Sequence, residues 1–130
     1  MSLAFDTSIL IAIERKDEKV MQRLRELFKK YPLSPNLPFI AHFEFSYVLK
    51  KRKPKSFDNL MNFVNSFPLL DLSFKTSDIL SDLKLKYNKK GLSFSLSDLL
   101  IASQVIENDL ILVTLDKDFE RIKELKKVIL

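Results

Sequence analysis

Five carboxylates stand out by their placement. Asp6 lies in AFDTS, Glu44 in HFEFS, Asp98 in LSDLL, and Asp116 and Asp118 in VTLDKDF. Each marks a point where an apolar run meets a turn or the start of a helix. Carboxylates gathered at such junctions repel one another unless a divalent cation holds them. Mg²⁺ and Mn²⁺ take hard oxygen ligands, and Mg²⁺ usually keeps several waters beside one or two protein carboxylates. Such an ion activates water and shields charge on a phosphate, and a second ion can stabilise the leaving oxygen. That chemistry needs no histidine or serine nucleophile, which suits a chain whose one histidine is His42.

Each acid also has a plainer explanation. Asp6 could cap a helix, although Thr7 and Ser8 offer the same service. Glu44 stands between Phe43 and Phe45, an odd setting for a merely solvated acid. Asp98 could be a first-turn acid favoured by the helix dipole. A turn after a strand would want Asp116 or Asp118. The basic stretch Lys50, Lys51, Arg52 and Lys53 could contact phosphate, or could simply be a helix C-terminus that favours cations.

Composition narrows the setting. With 130 residues the chain suits one domain spanning 1–130. A hydrophobic fraction of 46% excludes a disordered chain, and no apolar run reaches the ~20 residues of a membrane span. There is no cysteine, which excludes disulfides, thiolate metal sites and a cysteine nucleophile. One glycine, Gly91, excludes a glycine-rich phosphate loop. The opening MSLAFDTS lacks a basic stretch, so no signal peptide and a cytoplasmic location are expected. A net charge of +5 favours an anionic partner such as nucleic acid.

The elements that must position the acids follow from periodicity. Strands are expected at Leu3–Phe5, Leu37–Ala41, Leu69–Phe74, Leu110–Leu115 and Val128–Leu130. Helices are expected from about Ile9, over Glu18–Lys30, from His42 to near Pro54, and after a Ser56 cap. Further helices should run from a Thr76 or Ser77 cap to Lys89, from a Ser95 or Ser97 cap through Ile106, and over Phe119–Leu125. Short apolar strands alternating with amphipathic helices predict an α/β fold: three layers, α/β/α, around a mainly parallel sheet of four to five strands. Right-handed crossovers place every strand's carboxyl end on one edge, where open sheets bind ligands. Asp6 and Asp116 follow strands and so fall on that edge. Glu44 and Asp98 lie in early helical turns from which they could reach it.

AFDTSILIAI, HFEFSYVL and SLSDLLIASQVIENDLILVTLDKDF together resemble the PIN domain, especially the VapC-like toxins of prokaryotic toxin–antitoxin pairs. The likeness runs from Phe5 to about Ile122. It implies Mg²⁺- or Mn²⁺-dependent ribonuclease activity on an RNA substrate. Asp6, Glu44, Asp98 and Asp116 match the family's acids, and Asp118 matches the acid before Phe in the last segment. Thr114 matches a hydroxyl residue that supports the site from behind. The resemblance further implies a homodimer and an inhibitory antitoxin partner. On this reading Asp6, Asp98 and Asp116 hold the metal while Glu44 and Asp118 complete the site. The alternatives are a PIN-fold RNA-processing nuclease outside any toxin pair, a non-catalytic RNA- or protein-binding module, and a phosphotransfer domain with Asp6 as nucleophile. A haloacid-dehalogenase-like site would want an Asp where Ser8 stands.

Overall fold

The structure is a computed structural model that describes residues 1–130. Three strands, β1 (Leu3–Phe5), β2 (Ile111–Thr114) and β3 (Lys127–Ile129), pair in parallel in the order β1-β2-β3. Phe5 lies beside Val113, and Thr114 beside Ile129, so the strands end together at one edge. Six α-helices complete the fold: α1 (Thr7–Glu14), α2 (Glu18–Lys30), α3 (Phe39–Arg52), α4 (Phe57–Asn65), α5 (Phe74–Lys89) and α6 (Leu96–Glu107). A 3-10 turn, Lys117–Arg121, follows β2.

Alternation along the strands builds two cores. Leu3, Phe5 and Val113 pack with Ile9, Leu10, Leu24, Phe45, Leu49 and Val64 on one face of the sheet. Ala4 and Leu112 pack with Tyr87, Leu99, Ile101, Val105, Phe119 and Ile122 on the other. Strand residues point alternately to opposite faces, so β1 and β2 each serve both layers and read as short apolar runs.

The two middle strand expectations shrink to single parallel bridges, Ala4 with Asn36 and Leu37 with Leu69. Pro38 explains the first: it has no N–H to extend a ladder, and its carbonyl instead accepts from Ala41 N and His42 N as α3 begins. The second is cut short by Ser73 and Thr76, which form a reciprocal capping box and start α5 at Phe74. Ser73, rather than Thr76 or Ser77, is therefore the cap. Ser56 makes no side-chain cap bond. The helix expected over Phe119–Leu125 is the 3-10 turn, set earlier because Asp116 initiates it. Likewise α1 begins at Thr7, capped by Asp6.

One polar side chain joins the layers. Gln104 of α6 is fully buried; its Oε1 accepts from Phe39 N at 2.8 Å, and its Nε2 donates to the carbonyls of Leu70 at 3.1 Å and Asp71 at 3.2 Å. It thus satisfies an otherwise orphaned N–H at the start of α3 and holds the segment after Leu69. Gln104→Leu, similar in volume, should cost about 2–4 kcal/mol by leaving these groups unpaired. The readout is a lower urea midpoint at an unchanged slope.

Candidate active site

Asp6 follows β1 directly, in extended conformation, and caps α1. Its Oδ1 accepts from Ser8 Oγ at 2.5 Å and from Ile9 N at 3.4 Å, and its Oδ2 accepts from Thr114 Oγ1 at 2.6 Å. Both donors are tied in turn to the exit of β2. Thr114 Oγ1 accepts from Asp116 N at 2.9 Å, and Ser8 Oγ accepts from Leu115 N at 3.0 Å. Asp6 and the Asp116 turn are thereby fixed to each other across the parallel pair.

Asp116 then turns the chain. Its Oδ1 accepts from Asp118 N at 2.9 Å and initiates the 3-10 helix. Asp98 arrives from α6, whose cap, Ser95, accepts from Asp98 N at 3.1 Å. Carboxylate oxygens of Asp98, Asp116 and Asp118, one from each, lie within 4.8 Å of one another. Glu44 approaches from α3, where its Oε1 accepts from Thr7 Oγ1 at 2.7 Å, one residue from Asp6. The helices α1 and α3 run parallel here, since Glu14 and Arg52 pair at their far ends.

Four of these acids share one electrostatic neighbourhood. Burial pushes the Asp6 carboxyl above its ordinary 3.8; hydrogen bonds from Ser8, Thr114 and Ile9 pull it back, and the charge of Asp116 adds to the rise. Asp98 is also raised, first by burial and then by Asp116, with Asp118 and Asp6 adding and Ser95 opposing. Its first-turn position at the positive end of α6 does not offset that repulsion. The donor set is all carboxylate oxygen, without histidine or cysteine, and this fits a hard divalent cation such as Mg²⁺ or Mn²⁺.

The tightest three acids are thus Asp98, Asp116 and Asp118, with Asp6 behind them and Glu44 joined through Thr7. Asp6 is the cap of α1, and the charge of Asp116 reaches it. The basic residues Lys50, Lys51, Arg52 and Lys53 lie at the end of α3, roughly 9–14 Å along the axis from Glu44. Arg52 is paired with Glu14 there. Three contributors escaped the sequence reading. Thr7 and Ser8 read locally as rival caps, whereas they hold Glu44 and Asp6. Arg121 touches the cluster, 3.7 Å from Asp118 Oδ1, with its guanidinium 4.5 Å above the Phe94 ring. Nothing in its local sequence marks it.

Residues 3–125 match the PIN domain family. The chain is similar to ribonuclease VapC2 of Rickettsia felis, 28% identical over 127 residues that cover 96% of this chain and 95% of that protein. Among solved structures it is similar to VapBC2 from Rickettsia felis bound to a DNA fragment from their promoter, with a TM-score of 0.85, 27% identity and 98% of both chains covered. A toxin–antitoxin complex from Klebsiella pneumoniae shares the fold at a TM-score of 0.76, with 22% identity over 96% of this chain and 95% of that one.

The raised carboxyls make a signed prediction for metal-free protein. Asp98 holds its proton more tightly folded than unfolded, so its contribution is complete below the unfolded value near 3.8 and is lost as pH rises through the folded one. In chelator at pH 7, Asp98→Asn should therefore melt about 2–5 °C above wild type. The gap should close as pH falls below the unfolded value, and scanning calorimetry across pH checks both ends.

Proposed function

The chain belongs to the PIN domain family, and we propose that it is a Mg²⁺- or Mn²⁺-dependent endoribonuclease acting as the toxin of a VapBC-type toxin–antitoxin pair. The observation that carries the reading is the convergence of Asp98, Asp116 and Asp118 at the carboxyl edge, backed by Asp6, in a chain of net charge +5. A ribonuclease relative at 28% identity over nearly the whole chain supports the substrate class. The toxin–antitoxin complexes with this fold support the partner, an antitoxin protein. A homodimer and a cytoplasmic location belong to the same proposal. No helix is long and apolar enough to cross a membrane.

In this mechanism Asp98, Asp116 and Asp118 would hold the ion, with Asp6 seated behind them and Glu44 completing its surroundings. When bound, the ion supplies an activated water and neutralises charge on the scissile phosphate. Thr114 and Ser8 fix the Asp6 carboxylate so that it cannot turn away from its neighbours. Thr7 orients Glu44 through Oε1 and leaves Oε2 to accept a proton from the attacking water. In-line attack forms the new O–P bond as the P–O3′ bond breaks, and the departing oxygen takes a proton from solvent, leaving a 5′-phosphate and a 3′-hydroxyl. Lys50, Lys51 and Lys53 would meet phosphates farther along the RNA. Asp6 is a poor candidate for a phosphate acceptor, because it is only 4% exposed and both oxygens accept hydrogen bonds.

Cleavage of a tRNA and rRNA panel tests the proposal. Wild type should cut in Mn²⁺ or Mg²⁺ and not in chelator. Asp116→Asn keeps an oxygen able to cap the 3-10 turn, so it should fold normally yet lose at least about 100-fold in rate. Full activity in that variant would sink the site assignment. Separately, Mn²⁺ at 100 times its dissociation constant should stabilise the fold by about 2.7 kcal/mol. An unchanged melting temperature, with no heat of binding by calorimetry, would remove the metal from the reading.

A further inference from the structure

A cleft of about 300 Å³ opens beside the acid cluster, on the face of the sheet covered by α1 and α2. Its walls are Asp17, Lys19, Val20 and Arg23 from the start of α2, and Leu115 and Leu130, the residues that follow β2 and β3. Val20 is buried, and Leu115 and Leu130 are half-buried, giving an apolar floor. Lys19 and Arg23 are four residues apart and so share one face of α2. Both are exposed, and neither takes part in any of the five salt bridges of the chain. The one acid in the lining, Asp17, accepts from Val20 N at 3.3 Å as the helix cap.

The cleft is rigidly joined to the acids. Leu115 immediately precedes Asp116, and its N–H donates to Ser8 Oγ, which itself donates to Asp6. A polymer laid across the edge at the exit of β2 therefore meets both the Asp116 turn and the cleft.

Resting on the ribonuclease reading, we propose that this cleft receives the nucleotide flanking the scissile phosphate, with its phosphate between Lys19 and Arg23 and its base or sugar against Val20, Leu115 and Leu130. Charge selects this occupant. An anionic chain approaching the clustered carboxylates needs cations beside them, and these two are unpaired. An apolar protein segment in the same place would desolvate both cations without a partner. The floor offers neither an aromatic platform nor base-edge hydrogen bonding, so the subsite positions the chain and reads little sequence.

The test compares wild type, the double variant Lys19→Glu/Arg23→Glu, and a charge-matched control, Lys29→Glu/Lys30→Glu, about 15 Å along α2. Binding of a fluorescent single-stranded RNA is measured in chelator across a salt series, and KM and kcat are measured in Mn²⁺. The cleft variant should bind about 10-fold or more weaker, with a log–log salt slope reduced by about 1.4 for two lost phosphate contacts. Its KM should rise about 10-fold while kcat changes less than about 2-fold. Binding and KM no worse than in the control would overturn the subsite and leave the ribonuclease reading standing. A wild type that neither binds nor cleaves RNA would bring down both. Normal handling of RNA, combined with escape from inhibition by the antitoxin, would assign the cleft to the protein partner and likewise overturn the proposal.

Discussion

The hydrogen bond from Thr114 to Asp6 is the constraint on which the rest of the site depends. It joins residues 108 positions apart in sequence, across the exits of two neighbouring parallel strands. Thr114 also accepts from Asp116 N, so one hydroxyl fixes a carboxylate on β1 and the turn leaving β2. Ser8 repeats the arrangement in parallel, donating to Asp6 and accepting from Leu115 N. Two hydroxyls therefore convert the register of the sheet into the position of Asp6 and Asp116 and, through the Asp116 turn, of Asp118. Backbone pairing alone sets only the level of the strand ends, and the hydroxyl links carry that order into the side chains.

That order is held against charge. Burial raises Asp6 and Asp98, and the neighbouring acids raise them further. Clustered carboxylates oppose folding at neutral pH unless a cation relieves them. Stability must then come from elsewhere: from the two apolar cores on either face and from buried polar ties such as Gln104. The same repulsion makes the edge selective. Its all-carboxylate donor set fits a hard cation, and its charge opposes an anionic polymer unless positive groups stand nearby. The net charge of +5 supplies such groups, and their distribution gives the surface its function. The cations at the end of α3 stand apart from the acids, whereas Lys19, Arg23 and Arg121 lie close to the exit of β2.

Much of this was readable before any coordinates. The strands around Asp6 and Asp116 are short apolar runs that end in an acid, and a parallel sheet with helices on both faces follows from their alternation with amphipathic segments. The two middle strands are shorter than their apolar runs suggest, because periodicity cannot weigh a proline or a capping box against an apolar run. Pro38 ended one ladder after a single bridge, and Ser73 with Thr76 turned the other into α5. At Asp6 the local signals for cap and for site point to the same side chain, which caps α1 beside the acid cluster.

What the sequence determined by itself was the inventory: which acids stand at junctions, the lack of cysteine and the single histidine, which leave carboxylate oxygen as the donor type at those junctions, and the alternation that puts strand ends on a common edge. These depend on residue type and local spacing. The tertiary structure alone decided which oxygens meet. It drew Asp118 into the tight set with Asp98 and Asp116, seated Asp6 behind them, gave Glu44 to Thr7 and brought Arg121 to Asp118. Each of these contacts, apart from the short turn from Asp116 to Arg121, joins segments far apart along the chain. Their geometry is set by strand register and helix packing, which no local pattern encodes.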